Sequence, residues 1–359
     1  MCALFSDMPV NCILQGNCIE ILQQMPEKSA DMIFADPPYN LQLKQDLYRP
    51  NQSKVAGVFD QWDKFDNFAQ YDHFTEEWLR ACQRVLKDNG TIWVIGSYHN
   101  IYRVGAILQN LGFWLLNDVV WIKTNPMPNF KGTRFNNAHE TLLWAAKSEQ
   151  SRYTFHYKAL KTYNEDLQMR SDWYLPICSG EERLKTDGQK AHSTQKPLAL
   201  LYRILLSASN VGDLIIDPFS GSGTTAAVAK LLGRQYIGIE QEETYVRLAR
   251  ERLAAIEPLE AHLLQYLVEQ KPPKVPFGNL VAAGLVRVGE CLYDKNRQHK
   301  ALVLADSSLQ AGEWVGSIHK VSAALLQKPA NNGWLYWFVE REGRLVCIDD
   351  LRRMYAEEF

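Results

Sequence analysis

The chain has 359 residues, 46% of them hydrophobic and 22% charged, with a formal net charge of −2. This is ordinary globular composition, which excludes extensive disorder, and the length fits one large α/β domain with an appendage, or two domains. No apolar run reaches the ~18 residues of a membrane span, no basic stretch followed by an apolar one opens the chain, and the seven cysteines form neither a CxxC pair nor a His/Cys cluster, so a membrane protein, a secreted protein, a disulfide framework and a zinc site are all disfavoured.

Taken in order, the first 250 or so residues alternate between strand and helix patterns. Short apolar runs at Asn11–Gln15 and Asp31–Ala35 predict strands. Phe74–Lys87 has helical spacing, Thr91–Gly96 is a strand, and Ile101–Leu111 is a helix. Two further strands are expected at Asp118–Lys123 and Glu140–Ala146, separated by a Pro-, Asn- and Gly-rich loop over Asn125–Asn137. Ser148–Lys196 is polar with weak periodicity. Leu198–Ser207, Thr225–Leu232 and Glu242–Ile256 read as helices around strands Leu214–Ile216 and Tyr236–Ile239. This alternation predicts a doubly wound, mostly parallel sheet, whose ligands bind beyond the carboxyl ends of its strands. Lys271–Gly278 reads as a stiff proline linker, and 279–359 as a small separate domain with apolar runs at Lys300–Leu304 and Trp334–Val339.

The near-neutral total hides an uneven distribution. Residues 123–203 hold 13 Lys and Arg against 8 Asp and Glu, while residues 1–122 hold 9 against 14. A basic surface on an acidic body suits a phosphate backbone.

Two segments carry chemistry. The run Ser29–Ala35 delivers Asp36-Pro37-Pro38-Tyr39 at a strand's carboxyl end. Two prolines stop the strand and remove two N–H donors, leaving a rigid turn with acceptors at the Asp36 carboxylate and the Pro37 carbonyl. This turn can receive an exocyclic NH2 on a flat ring, with Tyr39 stacking on that ring. An aromatic amine is a poor nucleophile because its lone pair is delocalised, and hydrogen bonds to two acceptors favour a pyramidal nitrogen that can attack a methyl donor.

The second segment is strand, glycine turn, helix: Leu214–Ile216, then Asp217-Pro218-Phe219-Ser220-Gly221-Ser222-Gly223, then Thr224-Thr225. Glycines allow a tight turn and close ligand approach. Glu240 follows about 20 residues later, where a carboxylate can accept from ribose hydroxyls. No Lys follows Gly223, as a P-loop requires, and the third position of a dinucleotide fingerprint would be Ala226. S-adenosylmethionine, which has a ribose but no phosphate, fits best.

These residues resemble DNA amino-methyltransferases. Asp36–Tyr39 is similar to their catalytic motif and Asp217–Thr225 to their S-adenosylmethionine motif. The order of the two resembles the β class, which implies a circularly permuted, seven-stranded-type methyltransferase sheet. Trp121–Phe135, Asn137–Glu140, Asp172-Trp173, Lys190–Pro197, Gly316–Lys320 and Asn332–Trp334 resemble the cell-cycle-regulated adenine methyltransferases and their restriction-system relatives.

That resemblance implies N6-adenine methylation in GANTC sites of double-stranded DNA, action as a homodimer, a bacterial cytoplasmic and nucleoid setting, a C-terminal domain engaged in DNA recognition (1–270, 271–278 and 279–359 being catalytic domain, linker and recognition domain, with a target-recognition insertion at about 124–196), and either solitary action or pairing with a cognate restriction endonuclease. No metal is implied. Carried over, the catalytic set is Asp36, Pro37, Pro38 and Tyr39. The cofactor set is Asn17, Cys18, Asp36, Thr194, Gln195, Lys196, Pro197, Asp217, Phe219, Ser220, Gly221, Ser222, Gly223, Thr224, Thr225 and Glu240, with 194–197 at the methionine end. The family's Gly-Asp-Cys reads Gly16-Asn17-Cys18 here, replacing an acid by a neutral acceptor.

Adenine N6 is stacked inside the duplex, so the base must be swung out. The polar segment 40–65, with Lys44 and Arg49, is expected to cover it. Lys131, Arg134, His139, Ser317, His319, Lys320, Asn332 and Trp334 are the further DNA-contact candidates. An N4-cytosine methyltransferase presents the same amine problem and is the nearest alternative; a protein or RNA amide methyltransferase and a non-catalytic DNA-binding protein with a relic pocket are the others.

Overall fold

The computed structural model describes residues 8–41, 65–129, 132–186, 189–190, 194–264 and 274–358. The chain divides into two compact units, Met1–Glu269 and Gln270–Phe359.

The first unit begins β1 (Cys12–Gln15), α1 (Cys18–Gln24), β2 (Ala30–Ala35), α2 (Phe68–Val85), β3 (Leu86–Gly96), α3 (Ile101–Asn110), β4 (Trp114–Lys123) and β5 (His139–Ala146). It continues α4 (Tyr157–Tyr163), β6 (Asp172–Leu175), the short pair β7 (Lys185–Thr186) and β8 (Gln189–Lys190), α5 (Leu198–Ala208), β9 (Leu214–Asp217), α6 (Thr224–Leu231), β10 (Gln235–Glu240) and α7 (Glu243–Ala254). Eight strands form the main sheet in the order β1-β10-β9-β2-β3-β5-β4-β6. β5 runs antiparallel to both its neighbours, and the other pairings are parallel.

Side-chain alternation along β2 shows why the sheet is covered on both faces. Met32 and Phe34 pack into a core shared with Leu201 and Leu205 of α5, Ala226 of α6 and Ala249 of α7. Ala30, Ile33 and Ala35 pack on the opposite face with Leu22 of α1, Trp78 and Leu79 of α2, and Val104 of α3. The doubly wound, mostly parallel α/β sheet read from the sequence is the fold observed, with eight strands in the sheet. The extra strand, β6, lies in the stretch 148–196 that periodicity left undefined. It is only four residues long, and its Trp173 and Leu175 point inward while Asp172 and Tyr174 do not. α2 also starts earlier than its apolar spacing suggests, because Asn67 caps it by accepting from the Gln70 backbone N–H at 2.9 Å.

The second unit contains α8 (Phe277–Ala282), β11 (Cys291–Tyr293), β12 (Lys300–Val303), β13 (Leu309–Ala311), β14 (Trp314–Gly316), α9 (Ile318–Leu325), α10 (Gly333–Tyr336), β15 (Phe338–Arg341), β16 (Arg344–Cys347) and α11 (Ile348–Glu358). Its six strands pair antiparallel in the order β14-β13-β12-β11-β15-β16. Leu280, Leu292, Val303, Trp337, Val339 and Ile348 build a core of its own. One expectation is corrected here. Pro276 caps α8 and Phe277 is buried, so the end of the expected linker belongs to the second unit. The run Trp334–Val339 is a helical turn followed by a strand, because Asn332 accepts from the Trp334 N–H at 3.1 Å and starts a helix there.

Among the described residues, no helix is long and apolar enough to cross a membrane. No group of His, Cys, Asp and Glu among them could hold a metal ion, and their cysteines are free thiols.

Candidate active site

Parallel register brings four strand ends to one edge. Gln15 lies opposite Glu240, Gly238 opposite Asp217, and Ile33 opposite Ile216. Immediately past these ends come Gly16-Asn17, Asp36–Tyr39, Pro218–Gly223 and Gln241-Glu242. They enclose a cavity of about 280 Å³ lined by Asn17, Cys18, Asp36, Pro38, Thr194, Phe219, Gly221 and Glu240. A smaller recess adjoins it, lined by Asp36, Thr194, Gln195, Lys196, Asp217, Ser220, Gly221, Ser222, Thr224 and Thr225. Asp36 and Gly221 line both, so the two sequence motifs share one hollow.

The glycine loop is shaped by close approach. Gly223 precedes α6 at φ +73°, and a Cβ there would lie 2.9 Å from Ala249 Cβ of α7. Gly238 in β10 leaves room for the loop itself, since a Cβ would lie 2.4 Å from Ser220 Oγ. The loop's backbone is tied to Glu240, whose Oε2 accepts from the Gly221 N–H at 2.8 Å and Oε1 from the Glu242 N–H at 2.9 Å. Burial pushes the Glu240 carboxyl above its ordinary value despite these donors. Asp217 closes β9 and accepts from the Phe219 N–H at 3.0 Å; burial pushes its pKa up to about 7.

The catalytic corner is a buried network of alternating charge. The Lys196 ammonium donates to Asp36 Oδ2 at 2.6 Å and lies 3.8 Å from Glu140 Oε2. Glu140 Oε2 accepts from the Tyr39 hydroxyl at 3.0 Å, and Oε1 accepts from Lys123 Nζ at 2.7 Å. The Lys196 ammonium stands 5.4 Å from the Tyr39 ring centroid. The Tyr71 hydroxyl donates to the Pro38 carbonyl at 3.0 Å, which pins the turn from α2. Burial lifts the Asp36 carboxyl, and the Lys196 charge only partly offsets it. Glu140 is also raised by burial, but Lys196, Lys123 and the Tyr39 hydroxyl together hold it below its ordinary value. Burial pushes the Tyr39 hydroxyl well up, with both carboxylates adding to the effect.

Several candidate residues also have structural partners of their own. Lys196, expected at the methionine end, lines the recess beside the glycine loop with its ammonium on Asp36. Gln195 accepts from the Leu184 N–H at 3.0 Å and donates to the Glu182 carbonyl at 2.9 Å, so it braces the preceding loop. Pro197 begins α5. Asn17 Oδ1 accepts from the Ile19 N–H at 2.8 Å, capping α1, while Cys18 is buried and its thiol is pushed up to about 12 by that burial. Trp334, expected at a DNA surface, is instead in the second unit's core, packed edge-on against Phe277 with Arg352 4.2 Å from its ring centroid. An indole that large is held there by apolar burial. Ser317 caps α9 through the Lys320 N–H, and His319 Nδ1 accepts from the Gly333 N–H at 3.0 Å. His139 is exposed at the start of β5, and exposed Arg134 donates to the Tyr98 hydroxyl at 3.1 Å. Lys44, Arg49 and Lys131 lie outside the described residues.

Sequence reading missed Glu140 and Lys123 as a pair, although both stand in the motif-bearing strands β4 and β5. It also missed Phe65, Gln70, Phe74 and Tyr245 as cavity walls. For Phe74 and Tyr245 the only sequence signal was helical spacing, which does not distinguish core from cleft.

Known proteins match this arrangement. Residues 30–251 match the DNA methylase family, and residues 261–359 match the Restriction Enzyme Adenine Methylase Associated domain. The chain is 51% identical over 350 residues to the Type II methyltransferase M.HinfI of Haemophilus influenzae, covering 97% of this chain and 98% of that protein. It is 44% identical to the Type II methyltransferase M2.MboI of Moraxella bovis, over 69% of this chain and 89% of that protein. The crystal structure of an M1.HpyAVI–SAM complex superposes with a TM-score of 0.50 at 29% identity, over 67% of this chain and 98% of that one. The cytosine-N4-specific PvuII DNA methyltransferase superposes at 0.53 with 21% identity, over 67% of this chain and 85% of that one, a likeness of fold.

Proposed function

The chain belongs to the DNA methylase family, and from that premise we propose that it methylates N6 of an adenine swung out of double-stranded DNA, in GANTC sites. The observation that carries this reading is the shared lining: Asp36 borders both the cavity that holds Glu240 and the glycine loop and the recess beside it.

The cavity suits S-adenosylmethionine. Its carboxylate at Glu240 matches ribose hydroxyls, and Phe65, Phe74 and Phe219 offer apolar surface for a purine. Among the described residues that line it there is no lysine for a phosphate. When bound, that cofactor supplies an electrophilic methyl on a sulfonium. The chain's own residues do the rest. Asp36 accepts from the target amino group and draws its lone pair out of the ring, the Pro37-Pro38 turn fixes the carboxylate's direction, and the Tyr39 ring meets the base. The corner is buried, so these hydrogen bonds act with little competition from water. The resemblance to adenine methyltransferases given above favours adenine over cytosine as the target. The same resemblance suggests a homodimer, a cytoplasmic, nucleoid-associated setting, and DNA contacts from Arg134, His139, His319, Lys320 and Asn332. A name of the type borne by the relatives, Type II methyltransferase, is compatible with a cognate restriction endonuclease.

The test is transfer of labelled methyl to GANTC duplexes, followed by nucleoside mass analysis. N6-methyladenine is expected in the wild type, and Asp36→Ala should abolish it. Recovery of 4-methylcytosine, or full transfer by Asp36→Ala, would overturn the reading.

A further inference from the structure

Asp36 is needed as an acceptor, yet one of its two oxygens is already taken. Its Oδ2 holds the Lys196 ammonium at 2.6 Å, and that lysine side chain is only 8% exposed. A target amine arriving at Asp36 competes with this ion pair. An ammonium simply pushed away inside a buried corner would keep only the Thr194 carbonyl at 3.5 Å and lack a charged partner, at high cost. The structure supplies a second seat. Glu140 Oε2 lies 3.8 Å from the same ammonium, in a side chain 12% exposed. Lys123 at 2.7 Å and the Tyr39 hydroxyl at 3.0 Å keep that carboxylate in place. The cluster Asp36, Glu140, Lys123 and Lys196 is balanced in charge, and it stays balanced when Lys196 changes partner.

We propose that Lys196 is a seat-holder for the target amino group: it occupies Asp36 while the corner is empty and moves to Glu140 when the base arrives, which makes Glu140 a positioning residue for the reaction. The inference rests on the amine-methylation reading above. Its physical advantage is preorganisation. Asp36 stays ionised and aimed before the base arrives, and the exchange of partners within one cluster leaves no buried charge unpaired. Tyr39 is coupled to the same event, because its hydroxyl shares Glu140 Oε2 with the incoming ammonium.

The test reads binding rather than turnover. Duplexes carrying adenine or purine (which lacks the amino group) at the target position are titrated against the full-length protein, with fluorescence anisotropy as readout. The wild type should prefer adenine by about 10- to 100-fold, the size of a hydrogen bond to a charged acceptor. In Glu140→Gln, Lys196 has no charged second seat and stays on Asp36, so the preference should fall to roughly 3-fold or less, with S-adenosylmethionine affinity unchanged. Adding Lys196→Gln to that variant should restore the preference. Should Glu140→Gln not fold, Glu140→Asp carries the test: it withdraws the charge by one methylene, and an intermediate preference is expected. A wild-type preference in the Gln variant, or in the Asp variant where that one is used, overturns the inference, as does a double variant no better than Glu140→Gln. Absence of any preference in the wild type would instead sink the reading of Asp36 as the amine acceptor.

Discussion

Single residues in this molecule are set by how deeply their charges are buried. Asp217 is 4% exposed, and its pKa is pushed from the ordinary carboxylate range to about 7 by that burial. The sign of the consequence follows from proton counting. Between pH 4 and 7 the unfolded chain has released the Asp217 proton while the folded chain keeps it, so this group lowers stability as pH rises through that window. Below pH 4 both forms are protonated and the group costs nothing. Asp217→Asn should therefore be more stable than the wild type at pH 8, by up to about 4 kcal/mol, and indistinguishable near pH 3.5. Thermal melting of both proteins across that range checks the prediction, and parallel curves would refute it. The Asn17 side chain illustrates a different residue-level point. It caps α1, so Asn17→Ala should cost about 1 kcal/mol in denaturant unfolding. Asn17→Asp puts a negative charge at the same helix end and should add roughly 0.3 to 1 kcal/mol, while tightening S-adenosylmethionine binding measured by calorimetry.

At the scale of elements, the site depends on how closely α6 approaches α7 and how β10 receives the loop before α6. Gly223 combines a left-handed backbone with a contact that admits no Cβ. Gly223→Ala should destabilise the protein by about 2 kcal/mol or more, through backbone strain and displacement of α6. A melting temperature unchanged in that variant would show that α6 has room to move. α2 bears on the cavity from the other side. Asn67 starts it, and Gln70 Oε1 accepts from the Asp66 N–H at 2.8 Å, so the helix start that carries Gln70 and Phe74 to the cavity wall is fixed by its own side chains. The short elements α4 and β6 had little periodicity to announce them. They form because Leu160, Trp173 and Leu175 find apolar surface on the first unit, a property of the folded surroundings rather than of their own spacing.

For the whole molecule, the relevant feature is that the two units do not share a core: the first has one on each face of its sheet, and the second has its own. A chain ending at residue 269 should keep its fold and bind S-adenosylmethionine within about 3-fold of the full chain, since every described residue lining that cavity lies before residue 250. If the second unit contributes backbone contacts, the same truncation should weaken duplex binding by at least about 10-fold and flatten its salt dependence. Equal affinity and equal salt slope in the two proteins would remove the second unit from DNA recognition.

The sequence by itself determined the alternation of strands and helices, the two motifs at strand ends and their order along the chain. Those features follow from local rules: apolar period, proline stops and glycine turns each act over a few residues. Only the tertiary structure decided that Lys196 and Asp36, 160 residues apart, share a hydrogen bond, that Glu140 stands beside them, and that Trp334 faces a core instead of a ligand. Those outcomes depend on sheet order and on which buried charges meet, and neither is encoded in the spacing of neighbours along the chain.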